Sequence, residues 1–245
     1  GGGTIGDAVG FASAIYLRGV RYIQVPTTFL AQVDSAHGGK TGINFNGYKN
    51  QVGVFNNPLV IIVDIRFLNS LSNNQLIDGL GEIIKAGLIK DSSILSLLRK
   101  EGSGAYQKKQ TLALLVKKSI AVKQFYISKD PKEIYLRQIL NAGHTIGHAI
   151  ELKYKVSHGI AVLHGLLKEL VIGELIGITS PRVRVDFSAI LNKLNIKINK
   201  KYRADFGSLY HDKKIFNDLI SIPIIKKEGK AKVLTIKLKD LRKLL

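Results

Sequence analysis

Three histidines and a glutamate carry the strongest chemical signal in the chain: Asn141-Ala-Gly-His144-Thr-Ile-Gly-His148-Ala-Ile-Glu151, then Ser157-His158-Gly159, with Glu82 far upstream. Four of the six histidines, those three and His164, fall between 144 and 164. There is no cysteine, so disulfides and thiolate ligands are excluded and any metal site must use His, Asp or Glu. Imidazole suits zinc and similar ions, and a helix puts residues i and i+4, here His144 and His148, on one face. The pair alone fits equally well two hydrogen-bonded histidines on a helix.

Other polar residues sit where ligands are usually held. Gly1-Gly2-Gly3-Thr4-Ile5-Gly6-Asp7 contains a G-x-G-x-x-G pattern and runs into an apolar helix expected over 8–17. Such glycines let a backbone approach a pyrophosphate at a helix N-terminus. Between two expected strands, 22–26 and 59–63, lie Asp34, Lys40, Lys49 and Asn50 among glycines, which reads as an anion-binding loop. Those strands end at Thr27-Thr28 and Asp64, the side of an α/β sheet where ligands bind.

After Asn73 the pattern turns helical. Expected helices cover 75–89, 111–126, 131–140, 145–151, 161–178 and 187–194, with a hairpin over 220–224 and 231–236. Glu82 and Lys85, three apart on one helix face, form an ion pair of the kind usually found at a surface. The fold class is therefore α/β, with a change of class near residue 70: α/β over 1–70 and mostly helical over 71–245.

Composition narrows the function classes. The chain has 245 residues, 45% hydrophobic and 22% charged, which makes it globular. No apolar run is long enough to span a bilayer and no signal peptide is visible, so no membrane partner and a cytoplasmic location are expected. A net charge of +19 would suit nucleic acid, but the lysines are spread along the chain without interleaved aromatics. A solvated basic surface and a small anionic substrate are expected instead, with no nucleic-acid partner.

Read together, the segments resemble the 3-dehydroquinate synthase family of sugar-phosphate cyclases. The resemblance rests on Gly1-Gly-Gly-Thr-Ile-Gly-Asp7, Tyr16-Leu-Arg18-Gly-Val-Arg21, Val25-Pro-Thr-Thr28, Gln32-Val-Asp34, Gly38-Gly-Lys40-Thr-Gly42, Lys49-Asn50, Gly81-Glu-Ile-Ile-Lys85, Arg137-x-x-Leu-Asn141-x-Gly-His-Thr-x-Gly-His148 and Asp212-Lys213-Lys214. These keep the family's order, and the chain looks like the family without its opening strands. The resemblance implies 1–70 as the C-terminal part of a Rossmann-like NAD-binding domain and 71–245 as a mostly helical metal- and substrate-binding domain. The resemblance implies Glu82, His144 and His158 as ligands of Zn2+ (or Co2+), and His148 as a histidine that contacts substrate. It implies Lys40, Lys85, Lys123, Glu133, Asn141 and His148 as catalytic, and Arg18, Asp34, Lys49, Asn50, Arg137, Lys213 and Lys214 as substrate-binding. NAD contacts are implied for Gly3, Thr4, Ile5, Gly6, Asp7, Thr27, Thr28, Phe67, Leu68, Asn69 and Ser70, with Asp34, Lys40 and Lys49 shared. Arg18 matches an arginine that reaches a neighbouring subunit, implying a homodimer.

The implied reaction converts 3-deoxy-D-arabino-heptulosonate 7-phosphate, a phosphorylated sugar acid, to 3-dehydroquinate and phosphate. It runs by NAD-mediated oxidation, phosphate elimination, reduction and intramolecular aldol closure. Another sugar-phosphate cyclase, or a polyol-phosphate dehydrogenase of the same architecture, is the alternative. Two departures from the family stand out. Ile160 replaces the usual glutamate after the third ligand, removing a carboxylate that would support the site. His164-Gly165 is a rival to His158-Gly159 as third ligand, and the following Ala161-Val162 favours His158. His37, where an apolar residue is usual, is expected to pack or hydrogen bond.

Overall fold

A computed structural model describes residues 1–46, 48–199, 201–204, 215–216 and 218–244, with the side chains of Tyr48, Lys49, Ile215 and Phe216 left aside. Helix α1 (Gly3–Ile15) begins inside the glycine pattern rather than after it. Strands β1 (Ile23–Gln24) and β4 (Val60–Ile61) pair in parallel, Ile23 opposite Val60 and Gln24 opposite Ile61. The expected strands are there, cut to two residues each.

Between them the expected loop is instead a π-helical turn, Ala31–Ser35, and an antiparallel hairpin of β2 (Lys40–Phe45) and β3 (Tyr48–Phe55). The reason is legible afterwards. Thr41, Ile43 and Phe45 alternate along one strand, Val52 and Val54 along the other, and Asn46-Gly47 is a two-residue turn signal. Asn46 takes the left-handed φ of 49° that such a turn requires.

Helix α2 (Asn73–Ile89) opens with a capping box: the Ser72 hydroxyl accepts from the Gln75 amide and the Gln75 side chain accepts from the Ser72 amide. There follow α3 (Ser92–Glu101), α4 (Lys109–Lys129), α5 (His144–Tyr154), α6 (His158–Leu175) and α7 (Pro181–Lys193). Pro181 sits at the first turn of α7, where its missing N–H costs nothing. The hairpin is β6 (Leu219–Lys227) with β7 (Lys230–Lys237), flanked by β5 (Ile215–Phe216) and followed by α8 (Leu238–Leu244). Helices α3 and α8 were not anticipated.

The expected helix over 131–140 does not form; only a 3-10 turn, Leu136–Asn141, is present. Asp130 captures the amides of Ile134, Tyr135 and Arg137, so those groups are not free for helical bonds. Glu133 also takes φ 59°, which ends any right-handed helix.

One core joins α2, α3, α4, α6 and α7 through Leu80, Ile83, Ile84, Leu95, Leu115, Leu163 and Phe187. A second packs Ile146 and Ile150 of α5 on Ile220, Ile222 and Ile224 of β6. Helices α2 and α6 cross at glycines. A Cβ on Gly81 would stand 2.8 Å from the Gly159 carbonyl oxygen, and one on Gly159 would stand 2.4 Å from the Asp78 Cα. That close approach brings Glu82 to His158.

Candidate metal and substrate site

Glu82 is 2% exposed in the middle of α2. Its Oε2 pairs with Lys85 Nζ, also buried, so the pair expected at the surface lies inside. Burial alone would raise the Glu82 pKa, but the Lys85 ammonium, helped by His158, outweighs it and holds the carboxyl down at about 2. Oε1 faces His144 Nε2 at 3.5 Å and His158 Nε2 at 3.4 Å, without a hydrogen bond to either.

His144 is the more telling partner. Its Nδ1 lies 3.1 Å from the Ala142 carbonyl oxygen, which fixes the proton there and leaves Nε2 as a lone pair. Burial, then Lys85, keeps this imidazole neutral far below its ordinary range. A lone pair thus faces a buried carboxylate oxygen. Two acceptors in that position repel each other unless a cation lies between them.

His158 opens α6, and Asp78 of α2 caps that end by accepting from the Gly159 amide at 2.8 Å. Its Nδ1 lies 3.4 Å from Glu151 Oε2 on α5. Burial would lower its pKa, but Glu151 and Glu82 on either side push it up to about 10. Ligand atoms of Glu82, His144 and His158 all lie within 4.8 Å of one another, as do those of His148, Glu151 and His158. The oxygen–nitrogen donor set and the unmet Glu82 oxygen fit a divalent ion such as zinc.

His148, one turn beyond His144 and exposed, sets its ring 5.2 Å from His144 and 6.0 Å from His158. His164 is elsewhere: 4% exposed on α6, its ring 5.0 Å from Tyr202. Ile160 packs against the first core. Glu151 therefore supplies the carboxylate beside His158 that position 160 lacks. His37 hydrogen bonds to the Gln32 carbonyl oxygen at 2.8 Å, as expected.

Next to Glu82 lies a small cavity of about 10 Å³, room for roughly one water, lined by Asp34, Glu82, Lys85, Ser119 and Lys123 with apolar neighbours. Lys123 Nζ donates to Asp34 Oδ1 and to its carbonyl oxygen, both at 2.6 Å. Burial would raise the Asp34 pKa, but Lys123 outweighs it and keeps the carboxylate ionised. Glu133 pairs with Lys40, accepts from Asn141 Nδ2 at 2.7 Å, and lies 3.7 Å from Arg137 Nε. Arg137 is 2% exposed, and its end nitrogens donate to the carbonyls of Pro131 and Gly38 at 2.5 and 3.0 Å. It ties two chain segments together, a commitment that its place in the sequence did not suggest.

On the α/β side, the N-terminus of α1 lies beside the carboxyl end of β1: Thr27 N donates to the Gly1 carbonyl and the Gly1 amino group to that of Val25. No side chain caps this helix among the described residues, and the Gly6 amide is taken by the Gly2 carbonyl oxygen at 3.0 Å, so the amides of Gly3, Thr4 and Ile5 fit a pyrophosphate. Asp7 follows, pushed up to about 6 by burial against the opposing pull of Lys123. Lys123 thus acts on Asp7 through its charge, while its hydrogen bonds go to Asp34. Thr28 Oγ1 accepts from the Ala31 amide at 3.2 Å. Among Phe67 to Ser70, Leu68 is a core residue at 3% exposed, whereas Phe67 and Asn69 face outward.

Some candidates are not brought in. Arg18 is exposed at the far end of α1, and Asn50 is exposed on β3. The side chain of Lys49, and Lys213 and Lys214 altogether, lie outside the described residues. Sequence reasoning missed Asp78, Asp130, Glu151 and Glu169, whose Oε2 accepts from the Gly143 amide just before His144. Glu151, three residues after His148 on the same face, was the one with a readable signal.

The fold, a small α/β segment with a parallel strand pair followed by a mostly helical segment, is shared with solved NAD-binding cyclases. The structure matches 2-epi-5-epi-valiolone synthase from Streptomyces hygroscopicus with NAD+ and Zn2+ bound at a TM-score of 0.89 and 22% identity, over 99% of this chain and 70% of that one. It matches 2-deoxy-scyllo-inosose synthase complexed with carbaglucose-6-phosphate, NAD+ and Co2+ at 0.87 and 26% identity, over 99% and 71%. The sequence carries the assignment further. Residues 1–78 match the 3-dehydroquinate synthase N-terminal family model and 79–215 the C-terminal one. The chain is 40% identical over 239 residues to 3-dehydroquinate synthase of Dictyoglomus thermophilum, covering 95% of this chain and 67% of the relative. It is 41% identical over 222 residues to that of Clostridium tetani, covering 87% and 59%. It therefore belongs to the 3-dehydroquinate synthase family, and spans well under the full length of those relatives.

Proposed function

We propose that this protein is a 3-dehydroquinate synthase, taking 3-deoxy-D-arabino-heptulosonate 7-phosphate to 3-dehydroquinate and phosphate with NAD and a zinc ion. The observation that carries the reading is the neutral His144 lone pair aimed at the buried Glu82 oxygen. Glu82, His144 and His158 would hold the ion, and the N-terminal turn of α1 with Thr27 and Thr28 would take NAD. When bound, the ion supplies Lewis-acid polarisation of substrate oxygens and NAD supplies reversible hydride acceptance. The same reading divides the chain near residue 70.

The chain's own side chains bind and orient. Lys85, held charged by Glu82 and Asp34 against the opposing effect of burial, offers a cation to the sugar acid. Lys123, hydrogen-bonded to Asp34, holds that carboxylate in place and offers a second cation beside Lys85. Glu133 stays ionised because Lys40, Asn141 and Arg137 outweigh its burial, and it holds Lys40 and Asn141 side by side. His148, exposed beside His144 and His158, reaches the substrate hydroxyls. The substrate's own phosphate accepts the proton, so the side chains act mainly as a clamp. Lys49, Asn50 and one of Lys213 or Lys214 complete that clamp, with Arg18 from a second copy in a cytoplasmic homodimer.

The test is a product balance. With NAD, zinc and substrate, phosphate and 3-dehydroquinate should appear in equal amounts without accumulated NADH, and a chelator should stop both. Accumulating NADH without phosphate would indicate a polyol-phosphate dehydrogenase. Turnover only of sugar phosphates lacking the carboxylate would indicate another cyclase.

A further inference from the structure

The segment between α4 and α5 carries Glu133, Arg137 and Asn141, yet it has little regular structure to fix them. What shapes it is one carboxylate outside the cavity. Asp130, the residue that ends α4, is 8% exposed. Its Oδ1 accepts from the Ile134 amide at 3.0 Å, and its Oδ2 from the amides of Tyr135 and Arg137 at 2.7 and 3.0 Å. Three backbone donors converge on one side chain. The turn they close also bonds the Glu133 amide to the Asp130 carbonyl oxygen at 3.2 Å and leaves Glu133 at φ 59°. A non-glycine residue is held in that region only when its surroundings over-determine it. The result points Glu133 at Lys40 and Asn141, and sets Arg137 under the Gly38 carbonyl.

We infer that Asp130 is a positioning residue: by gathering three amides it folds the 131–137 turn that holds Glu133 in register with Lys40 and Asn141. The inference rests on the reading that Glu133 faces substrate. Asp130 itself touches none of the proposed ligands of the ion. Uncharged replacements should fail in the same way. Alanine leaves the three donors, the buried Arg137 amide among them, without their acceptor, and asparagine turns an N–H₂ donor toward at least one of them.

The test compares wild type, Asp130→Asn, Asp130→Ala, Glu133→Ala and Asp130→Ala/Glu133→Ala. Zinc content should be unchanged in all of them. Exchange of the Ile134, Tyr135 and Arg137 amides should quicken at least about tenfold in both Asp130 variants, with α5 amides unaffected. Loss of Asp130 should lower kcat/KM by about tenfold to a hundredfold in the wild-type background, as a misplacement of about an ångström does. The same change should cost less than about threefold when Glu133 is already alanine, because contacts acting through one another do not add. An equal loss in both backgrounds, or unchanged exchange at the three amides, overturns the inference. If wild type binds zinc but makes no 3-dehydroquinate, the functional reading fails, and the exchange measurement alone decides whether Asp130 shapes the turn.

Discussion

In this chain the first seventy residues expose more apolar surface than the helices that follow. In the helical part, α2 buries Leu80, Ile83, Ile84 and Leu88 completely, and even Glu82 and Lys85 are no more than 3% exposed. In the first part, Ile5, Leu17, Ile23, Phe45 and Leu59 stand 57 to 76% exposed, and the parallel pair is two residues long. The polar groups that need a low dielectric and fixed geometry, the metal candidates, come from the dense part. The groups proposed for NAD come mainly from a helix end and loop termini, where backbone amides do part of the binding. Precision of side-chain placement follows packing density.

The sharpest break of that comparison is removal of a ligand. Glu82→Gln or His158→Ala should abolish stoichiometric zinc in metal analysis, whereas His164→Ala should keep it; the reverse would move the third ligand to His164. Next in size is the helix crossing. Gly81→Ala should cost about 1–3 kcal/mol in denaturant unfolding, because its Cβ meets backbone rather than a movable side chain. Leu59→Ser, 63% exposed in the first part, should change stability by no more than about 0.5 kcal/mol. Equal effects would erase the contrast between the regions.

A smaller effect is expected at Glu151. Its carboxylate fixes the Nδ1 proton of His158 and so aims Nε2 at Glu82, and Glu151→Ala should weaken zinc binding about tenfold to a hundredfold in chelator competition. An unchanged affinity would make Glu151 a bystander. The smallest concerns pH. Burial, then Lys168, pushes His164 down to about 4 from an ordinary 6.5. The unfolded chain therefore takes up a proton before the folded one does, and stability should fall as pH drops through 6.5 toward about 4. His164→Gln should flatten that part of the stability profile; an identical slope would show that other groups govern it.

Much of this was legible in residue order. The 3.6-residue periodicity located α2, α4, α5 and α6, the Lys226-Lys-Glu-Gly229 turn located the last hairpin, and ordered motifs pointed to the family. Local pattern misled where a distant or polar contact decided. The stretch 131–140 has helical spacing, but Asp130 takes its amides, and the glycine-rich 32–50 segment hides a hairpin behind its polar residues. Glu82 and Lys85 read as a surface pair because spacing along one helix says nothing of what crosses it.

The sequence by itself determined the residue types available for a thiol-free metal site, the helical face shared by His144 and His148, and the family. Only the tertiary structure decided that Glu82 meets His144 and His158, that Glu151 stands where Ile160 cannot serve, and that Asp130 shapes the turn bearing Glu133. The physical reason is range. Helix periodicity and turn chemistry act over a few residues, whereas the site depends on Gly81 and Gly159 letting two helices touch, and no local pattern encodes which helices will meet.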